Sequence, residues 1–561
     1  MKKFIMRSVR AALQLVPTSL KQKLKRNERL TRLYIKSVRG AGLFFDAPTA
    51  KETQMLYDQW LKLNQAKFVE DNSSNKAWQA VIFGSENVDK TIKSLSKAGA
   101  SKYYCFTTDG KHFGQIVKDI DRSLPVLFLH AGDLVETSLA SHFLTALQNT
   151  DVDAVYSDTD ELSPSGKRIN PRFLPDWNPD LHFSTAYLRS GVMVKASLLL
   201  QIELEHMQSV ADLICRFAIK LPELKMGHIP LPLVHILPRE ECVSDLKAIK
   251  NNIERNKKAR VTLNESRKMN SVAWNNSNPL VSLIIPTKNG KELVKACIDS
   301  VLAKTTYENY EIILIDNNSD DAESIAYFDE LACLSKITVL KYPKPFNYSA
   351  INNFGVRHAK GSIIGLINND VEVIEPDWLT YMVGYVERED VGCVGAKLLY
   401  SDTRIQHAGV VLGYGGGAGH AHKNFPRHHE GYLNRIIASS NYSAVTAACM
   451  LVKKSHFLAV NGLNERDLAV AFNDVDFCLK VKGIGVNNVY CAEAELFHHE
   501  SVSRGLDIST EKAARFNKEL LYLQNTWAHI IKKDPAYSPN LTLRRENFSI
   551  KTKEELLIQD D

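Results

Sequence analysis

With nine cysteines scattered through 561 residues and no Cys-x-x-Cys pair among them, the chain offers neither a zinc ribbon nor the framework of a secreted disulfide protein. A reducing compartment is expected. Uninterrupted apolar runs are short: none approaches the ~18–20 residues that a membrane-spanning helix needs, and runs such as Val281–Pro286 have the length of a strand. Phosphate-cradling loops are absent too. The glycine-dense Gly413-Tyr414-Gly415-Gly416-Gly417-Ala418-Gly419 has the spacing of neither a Walker loop nor a dinucleotide fingerprint. It reads instead as a mobile loop, and the nearby His420 and His422 would hold zinc only if further ligands converged on them.

What the chain has is charge that is unevenly placed. The formal net charge is +6, yet residues 1–40 carry twelve Lys or Arg against Glu28 alone, so the remainder is net negative. Apolar Phe4, Ile5, Val9 and Leu13 alternate with those cations, the pattern of a basic helix lying on an anionic membrane surface. A solvated basic arm without a partner has the same composition. Arg7 and Arg10 break the apolar stretch, so a signal peptide is not expected, and no recognition motif points to nucleic acid. The expected location is cytoplasmic, with peripheral attachment to the inner face of the plasma membrane through residues 1–40.

A chain this long exceeds one hydrophobic core. Residues 46–250 alternate short apolar runs with helical patterns (Ala80–Phe83, Lys90–Lys97, Pro125–Leu129, Leu139–Leu147, Ala154–Tyr156), which predicts an α/β unit after a basic helical arm at 1–45. Polar, weakly periodic 251–279 reads as a linker. From Val281 a second α/β unit begins, with strands expected at Val281–Ile285, Glu311–Ile315, Ile337–Leu340 and Ser362–Ile367 separated by helices, hence a mainly parallel sheet. Such a unit is expected over 280–545, with 546–561 as a tail.

Ligands of open parallel sheets sit beyond the carboxyl ends of the strands, and three of those ends are polar. The first reads Pro286-Thr287-Lys288-Asn289, the second Asp316-Asn317-Asn318-Ser319, the third Asn368-Asn369-Asp370. Asp316 suits a nucleobase or ribose, or equally a helix cap. Asp370, directly beyond a buried run, suits a hard divalent cation bridging to phosphates, or a plain Asn-Asp turn. Farther on, Asp474 and Asp476 stand at a helix start, where they either offset the helix dipole or supply a general base. His498 can complete a metal's coordination or serve as a hydrogen-bonded structural residue, and Arg504 can meet a diphosphate or a surface acid.

Taken together, Ile284-Ile285-Pro286-Thr287-Lys288-Asn289-Gly290, Ile315-Asp316-Asn317-Asn318-Ser319-Asp320, Ile367-Asn368-Asn369-Asp370, Gln406-His407-Ala408-Gly409 and Phe472-Asn473-Asp474-Val475-Asp476-Phe477 resemble the family-2 glycosyltransferases of GT-A fold. The likeness is greatest to the long, two-domain bacterial members of cell-surface polysaccharide and O-antigen synthesis, of rhamnosyltransferase type. The resemblance implies tandem GT-A-like, Rossmann-like domains and an inverting transfer from a nucleotide-diphosphate sugar to a glycan or lipid-linked glycan acceptor. It implies Asp474 as catalytic base; Pro286, Thr287, Asn289, Asp316, Asn318, Asn368 and Asn369 about the donor nucleotide; and Asp370 and His498 on Mg²⁺ or Mn²⁺. Gln406, His407, Asp476 and Arg504 fall to the acceptor or diphosphate. Asn368 stands where the family's Asp-x-Asp motif has its first acid.

The first unit resembles the same family in degenerate form. Leu127-Phe128-Leu129-His130-Ala131-Gly132-Asp133 keeps one acid of the metal motif, and the acidic helix start is reduced to Ala211-Asp212. Loss of its own activity is expected, with Trp177 either a sugar-stacking residue or a buried aromatic. Two other functions are compatible with the sequence: a metal-dependent nucleotidyltransferase, and an inactive sugar-binding scaffold in a membrane-side polysaccharide assembly.

Overall fold

The computed structural model describes residues 47–69, 77–107, 113–237, 242–256, 258–499 and 510–558. The basic arm and Arg504 lie outside them. Among the described residues, twenty-two strands are distributed over two large mixed sheets and two hairpins.

The first sheet comprises β1 (Gln79–Phe83), β2 (Lys102–Phe106), β3 (Val126–His130), β4 (Leu134–Val135), β5 (Ala154–Leu162), β6 (Arg168–Arg172), β7 (Val192–Val194) and β8 (Met226–His235). A hairpin of β9 (Ala259–Asn264) and β10 (Met269–Trp274) follows. The second sheet holds β11 (Val281–Thr287), β12 (Tyr310–Asp316), β13 (Ile337–Lys341), β14 (Ile363–Ile367), β15 (Val371–Val373), β16 (Val391–Leu399) and β17 (Ile405–His407). After a small hairpin of β18 (Val410–Leu412) and β19 (Ala418–His420), it is completed by β20 (Ser440–Tyr442), β21 (Cys449–Lys453) and β22 (Asn487–His498).

The two sheets share one topology. The first runs β2-β1-β3-β7-β5-β8-β4 and the second β13-β12-β11-β14-β21-β16-β22-β15. Remove β13 and the side strand β20, and every strand of one has a counterpart in the other in the same chain order. The senses agree as well: β1 is parallel to β2 and β3 as β11 is to β12 and β14. Strands β5 and β8 are parallel as are β16 and β22, with β7 and β21 antiparallel insertions in equivalent places. Parallel pairing thus fills one half of each sheet, where buried runs such as Val81–Phe83 and Leu283–Ile285 form near-continuous apolar strands.

Two segments differ from the sequence expectation. The stretch 251–279, read as a linker, finishes the helix Cys242–Arg255 and then forms the β9–β10 hairpin. Trp274 at its end packs edge-on to Phe183 and Tyr385, with the Arg388 guanidinium 4.4 Å from its ring centre. Gly384 allows this approach, since a Cβ there would meet the Trp274 carbonyl at 2.4 Å. The residues 546–561, read as a tail, contain a bridge from Ile550 to Leu541 and a helix Lys553–Leu557 started by a Thr552/Glu555 capping box.

The sheets are tied together by polar contacts in buried surroundings. Asn178 and Asn441 exchange bonds, Asn178 Nδ2 donating to the Asn441 carbonyl at 2.8 Å and Asn441 N to Asn178 Oδ1 at 2.9 Å. Asn540 accepts from Trp60 Nε1 at 3.1 Å and donates to Asp158 Oδ2 at 3.2 Å. No helix among the described residues is long and apolar enough to cross a membrane.

Candidate active site

The carboxyl ends of β11, β12 and β14 lie side by side because those strands are parallel neighbours; Thr287 is in register with Asp316. Asn369 Nδ2 donates to Thr287 Oγ1 at 3.0 Å, joining the first and third motifs. Asp316 caps its own turn by accepting from Ser319 N at 2.9 Å, and Pro286 is half-buried at the strand end. Asn289 and Asn318 adopt left-handed backbones (φ 52° and 58°), which asparagine tolerates better than most residues. The Asn289 amide is committed: its Oδ1 accepts from the backbones of Asp320 and Asp321 while its Nδ2 donates to Asp320. It therefore clasps two loops together at the edge of the strand ends. Asn318 Nδ2 donates to the Lys344 carbonyl at 3.3 Å.

Strand β15 pairs antiparallel to the end of β22, with Val371 opposite His498. Asp370, just before β15, is thereby set against that histidine, with Oδ1 3.1 Å from His498 Nε2. Both side chains are less than a tenth exposed. Asn368 Nδ2 lies 3.2 Å from the same nitrogen, and Asn368 Oδ1 accepts from the Tyr348 hydroxyl at 3.1 Å. That hydroxyl also lies 3.2 Å from the Ala447 carbonyl, and Ala447 N donates to Asp474 Oδ2 at 3.2 Å. An unbroken chain of contacts thus runs Asp370, His498, Asn368, Tyr348, Ala447, Asp474. Tyr348 and Ala447 were not singled out in the sequence. A tyrosine at a helix start carries no distinguishing signal there, and Ala447 acts only through its backbone.

Asp474 sits at the start of the helix Asn473–Lys482 and also accepts from Val475 N at 2.9 Å. Burial raises its pKa above the ordinary carboxylate value, opposed by the bonds from Ala447, Thr446 and Val475. A carboxyl shifted upward in this way is a stronger base than a solvated one.

Asp476, two residues on, is about 200° around the helix and serves a different purpose from the acceptor or diphosphate contact expected of it. Its carboxylate accepts from Trp527 Nε1 at 2.9 Å and faces Lys480 at 3.3 Å, pinning the helix to the C-terminal part of the chain. Gln406 and His407 point to opposite faces of β17, as strand alternation demands. Gln406 is buried with Nε2 2.8 Å from His498 Nδ1, so it orients that imidazole. His407 lies 2.8 Å from His420, Nδ1 to Nδ1, and burial pushes its pKa down to about 3. Burial thus favours its neutral form. His420 and His422 also diverge: His422 Nε2 accepts from Tyr432 N at 3.0 Å and its ring stacks on Phe548. Among the described residues no group of three His, Cys, Asp or Glu side chains converges as a metal site.

The model of glycosyl transferase family 2 matches residues 282–455. That span carries four of the five motifs and the strands that present them. Residues 282–455 are a family-2 glycosyltransferase domain. Among curated relatives, an uncharacterized protein y4gI of Sinorhizobium fredii is 38% identical over 452 residues, covering 77% of this chain and 50% of its own. The O-antigen biosynthesis protein RfbC of Myxococcus xanthus is 31% identical over 450 residues, covering 76% of this chain and 34% of its own. The chain therefore spans about half and a third of those relatives' lengths. Solved structures sharing features of the fold include a Pyrobaculum calidifontis mannosyltransferase with GDP-Man and Mn²⁺ (TM-score 0.33, 14% identity, 46% of this chain and 71% of that one). Another is GalNAc-T7 with UDP, GalNAc and Mn²⁺ (TM-score 0.39, 13% identity, 58% and 65%).

Proposed function

We propose that residues 280–545 transfer a sugar from a nucleotide diphosphate to a glycan or lipid-linked glycan acceptor by inversion, in the synthesis of a bacterial surface polysaccharide. The carrying observation is the contact chain from Asp370 through His498, Asn368 and Tyr348 to the backbone that holds Asp474. It joins residues more than a hundred positions apart at the sheet edge where α/β folds bind ligands. The likeness to an O-antigen biosynthesis protein supports the polysaccharide role.

Asp370 Oδ1 and His498 Nε2, 3.1 Å apart, fit a divalent cation bound by two protein ligands with phosphate oxygens and water completing its shell. An imidazole in the set suits Mn²⁺ at least as well as Mg²⁺. Bound there, the ion offsets charge on the departing diphosphate. Gln406, 2.8 Å from His498 Nδ1, holds the imidazole ring in place. Asp316 and Thr287 form the floor beneath a nucleoside at the ends of β12 and β11, and Asp474 takes the proton of the acceptor hydroxyl as that oxygen attacks the anomeric carbon.

Isothermal titration of UDP, GDP and dTDP with and without Mn²⁺, on the wild-type chain and on Asp370→Ala, tests this reading. Metal-dependent binding of one nucleotide, lost in the variant, is the expected result and names the donor class. Absence of binding under every condition would turn the assignment toward a sugar-binding scaffold.

A further inference from the structure

The strand-for-strand match between the sheets lets each position of the active edge be traced into the first sheet. Asp370 immediately precedes β15, and Asp133 immediately precedes β4. Val371 pairs with His498, and Leu134 pairs with His235. The acid and the histidine are both retained, yet each is turned to another partner. Asp133 accepts from the Ser190 hydroxyl and from Leu237 N. His235 is held between Asp160 and Glu136. The pair that fits a cation in the second sheet is bonded elsewhere in the first.

The first sheet's edge has a cavity of 170 Å³, room for one phosphate or one monosaccharide and too small for a nucleotide. Two guanidinium groups line it, Arg172 from β6 and Arg189 from the loop before β7. Arg172 spends one donor on the Tyr187 carbonyl at 3.1 Å. Arg189 makes no side-chain hydrogen bond or ion pair among the described residues. Thr159, 3% exposed on β5 and also lining the cavity, has a hydroxyl without a hydrogen-bond partner.

Carboxylates are present too: Asp160 is paired with Arg168 and His235, while Glu161, which accepts from the Asn170 amide, and Asp245 keep their charges and are matched in number by Arg172 and Arg189. A guanidinium can only donate, and a buried hydroxyl left unpaired is costly. The complement to both is a molecule rich in acceptors, and a guanidinium grips planar or tetrahedral oxyanions with paired bonds.

We propose that this cavity is a second, metal-independent site that takes one small oxyanion-bearing molecule, its phosphate or carboxylate held by Arg189, Arg172 and the Thr159 hydroxyl. The proposal does not depend on the transfer reading of the second sheet.

The test is isothermal titration of the full chain in EDTA with inorganic phosphate, glucuronate and neutral glucose, repeated on Arg189→Gln, Arg189→Lys, Thr159→Val and His498→Ala. At least one oxyanion binds, glucose does not, and His498→Ala leaves the affinity unchanged. Arg189→Gln weakens binding by at least about tenfold, and Arg189→Lys by less. Phosphate alone binding identifies free phosphate as the source, and glucuronate alone an acidic sugar. Thr159→Val, which nearly preserves shape, gives a smaller loss and carries the test should Arg189→Gln fail to fold. Binding of neither oxyanion at about 10 mM, equal binding of glucose, unchanged affinity in both Arg189→Gln and Thr159→Val, or loss of binding in His498→Ala would overturn the proposal.

Discussion

In the second sheet Asp370 and His498 face one another at 3.1 Å, whereas in the first the same two positions, Asp133 and His235, are bonded to Ser190 and to Asp160. The helix starts differ in the same way. Asp474 is held by backbone N–H groups and one hydroxyl, with no cation bonded to it among the described residues. Asp212, at the start of the corresponding helix Val210–Lys220, is closed off by a buried ion pair with Arg216 at 3.0 Å and a bond from Asn252. The comparison teaches that strand order and register are set by apolar runs both sheets possess, while the ability to bind a cation or move a proton depends on which neighbour each of a few polar side chains is given. Residue identity alone does not separate the two: an Asp and a His survive in both.

That comparison is broken most forcefully at the two helix-start acids. Asp474→Asn is expected to lower turnover by about 10²–10⁴-fold, the usual worth of a general base, with nucleotide affinity unchanged by titration calorimetry. Asp212→Asn leaves turnover as it was and lowers stability by about 3 kcal/mol, because Arg216 loses its buried counter-charge; thermal melting reads this. Equal losses of turnover in the two variants would show the first sheet to be catalytic as well.

Next in size are the groups around the imidazole. Gln406→Leu removes the partner of His498 Nδ1 and is expected to weaken Mn²⁺ affinity by about 10–100-fold. His235→Leu in the first sheet leaves Mn²⁺ affinity unchanged. A smaller effect concerns pH. His228 is buried between Asp158 at 2.9 Å and Asp176 at 3.1 Å. Burial opposes its charge, but the two acids prevail and raise its pKa from 6.5 to about 9. Since the folded value is the higher one, this stabilisation is complete below about pH 6.5 and is lost as pH rises through about 9, amounting to roughly 1–3 kcal/mol. Denaturant melts across that window should show the decline in the wild type and a flatter profile in His228→Gln. The smallest change expected is for Trp60→Phe, which removes the bond to Asn540 and costs about 1 kcal/mol in the same melts.

The alternation of elements was legible because buried strands are continuous apolar runs. Expected Glu311–Ile315 is the core of Tyr310–Asp316, and the helix expected after it is Ala322–Leu331. The polar strand ends were legible for the same reason. What the sequence could not display was the direction of each side chain once the chain closed up. Asp476 is turned to Trp527 and Lys480, and His407 to His420. Asn289 has the right place, but its amide is consumed by the Asp320 turn. The β9–β10 hairpin was hidden because its outward positions carry Arg260, Thr262 and Asn264, so a stretch rich in Asn and Lys concealed the buried Ala259, Val261, Val272 and Trp274.

The reach of Asn540 to Trp60 spans 480 residues. During synthesis, both sheets emerge from the ribosome before the segment that fastens them. The nascent first sheet must therefore persist with the Trp60 indole and the Asp158 carboxylate lacking a partner they will later have. Such late, long-range closure is slow and leaves intermediates open to aggregation. Fastening through Asn540 thus waits for a segment made after both sheets, and a ribosome paused shortly before Asp534 would hold two nearly complete sheets not yet joined by that segment.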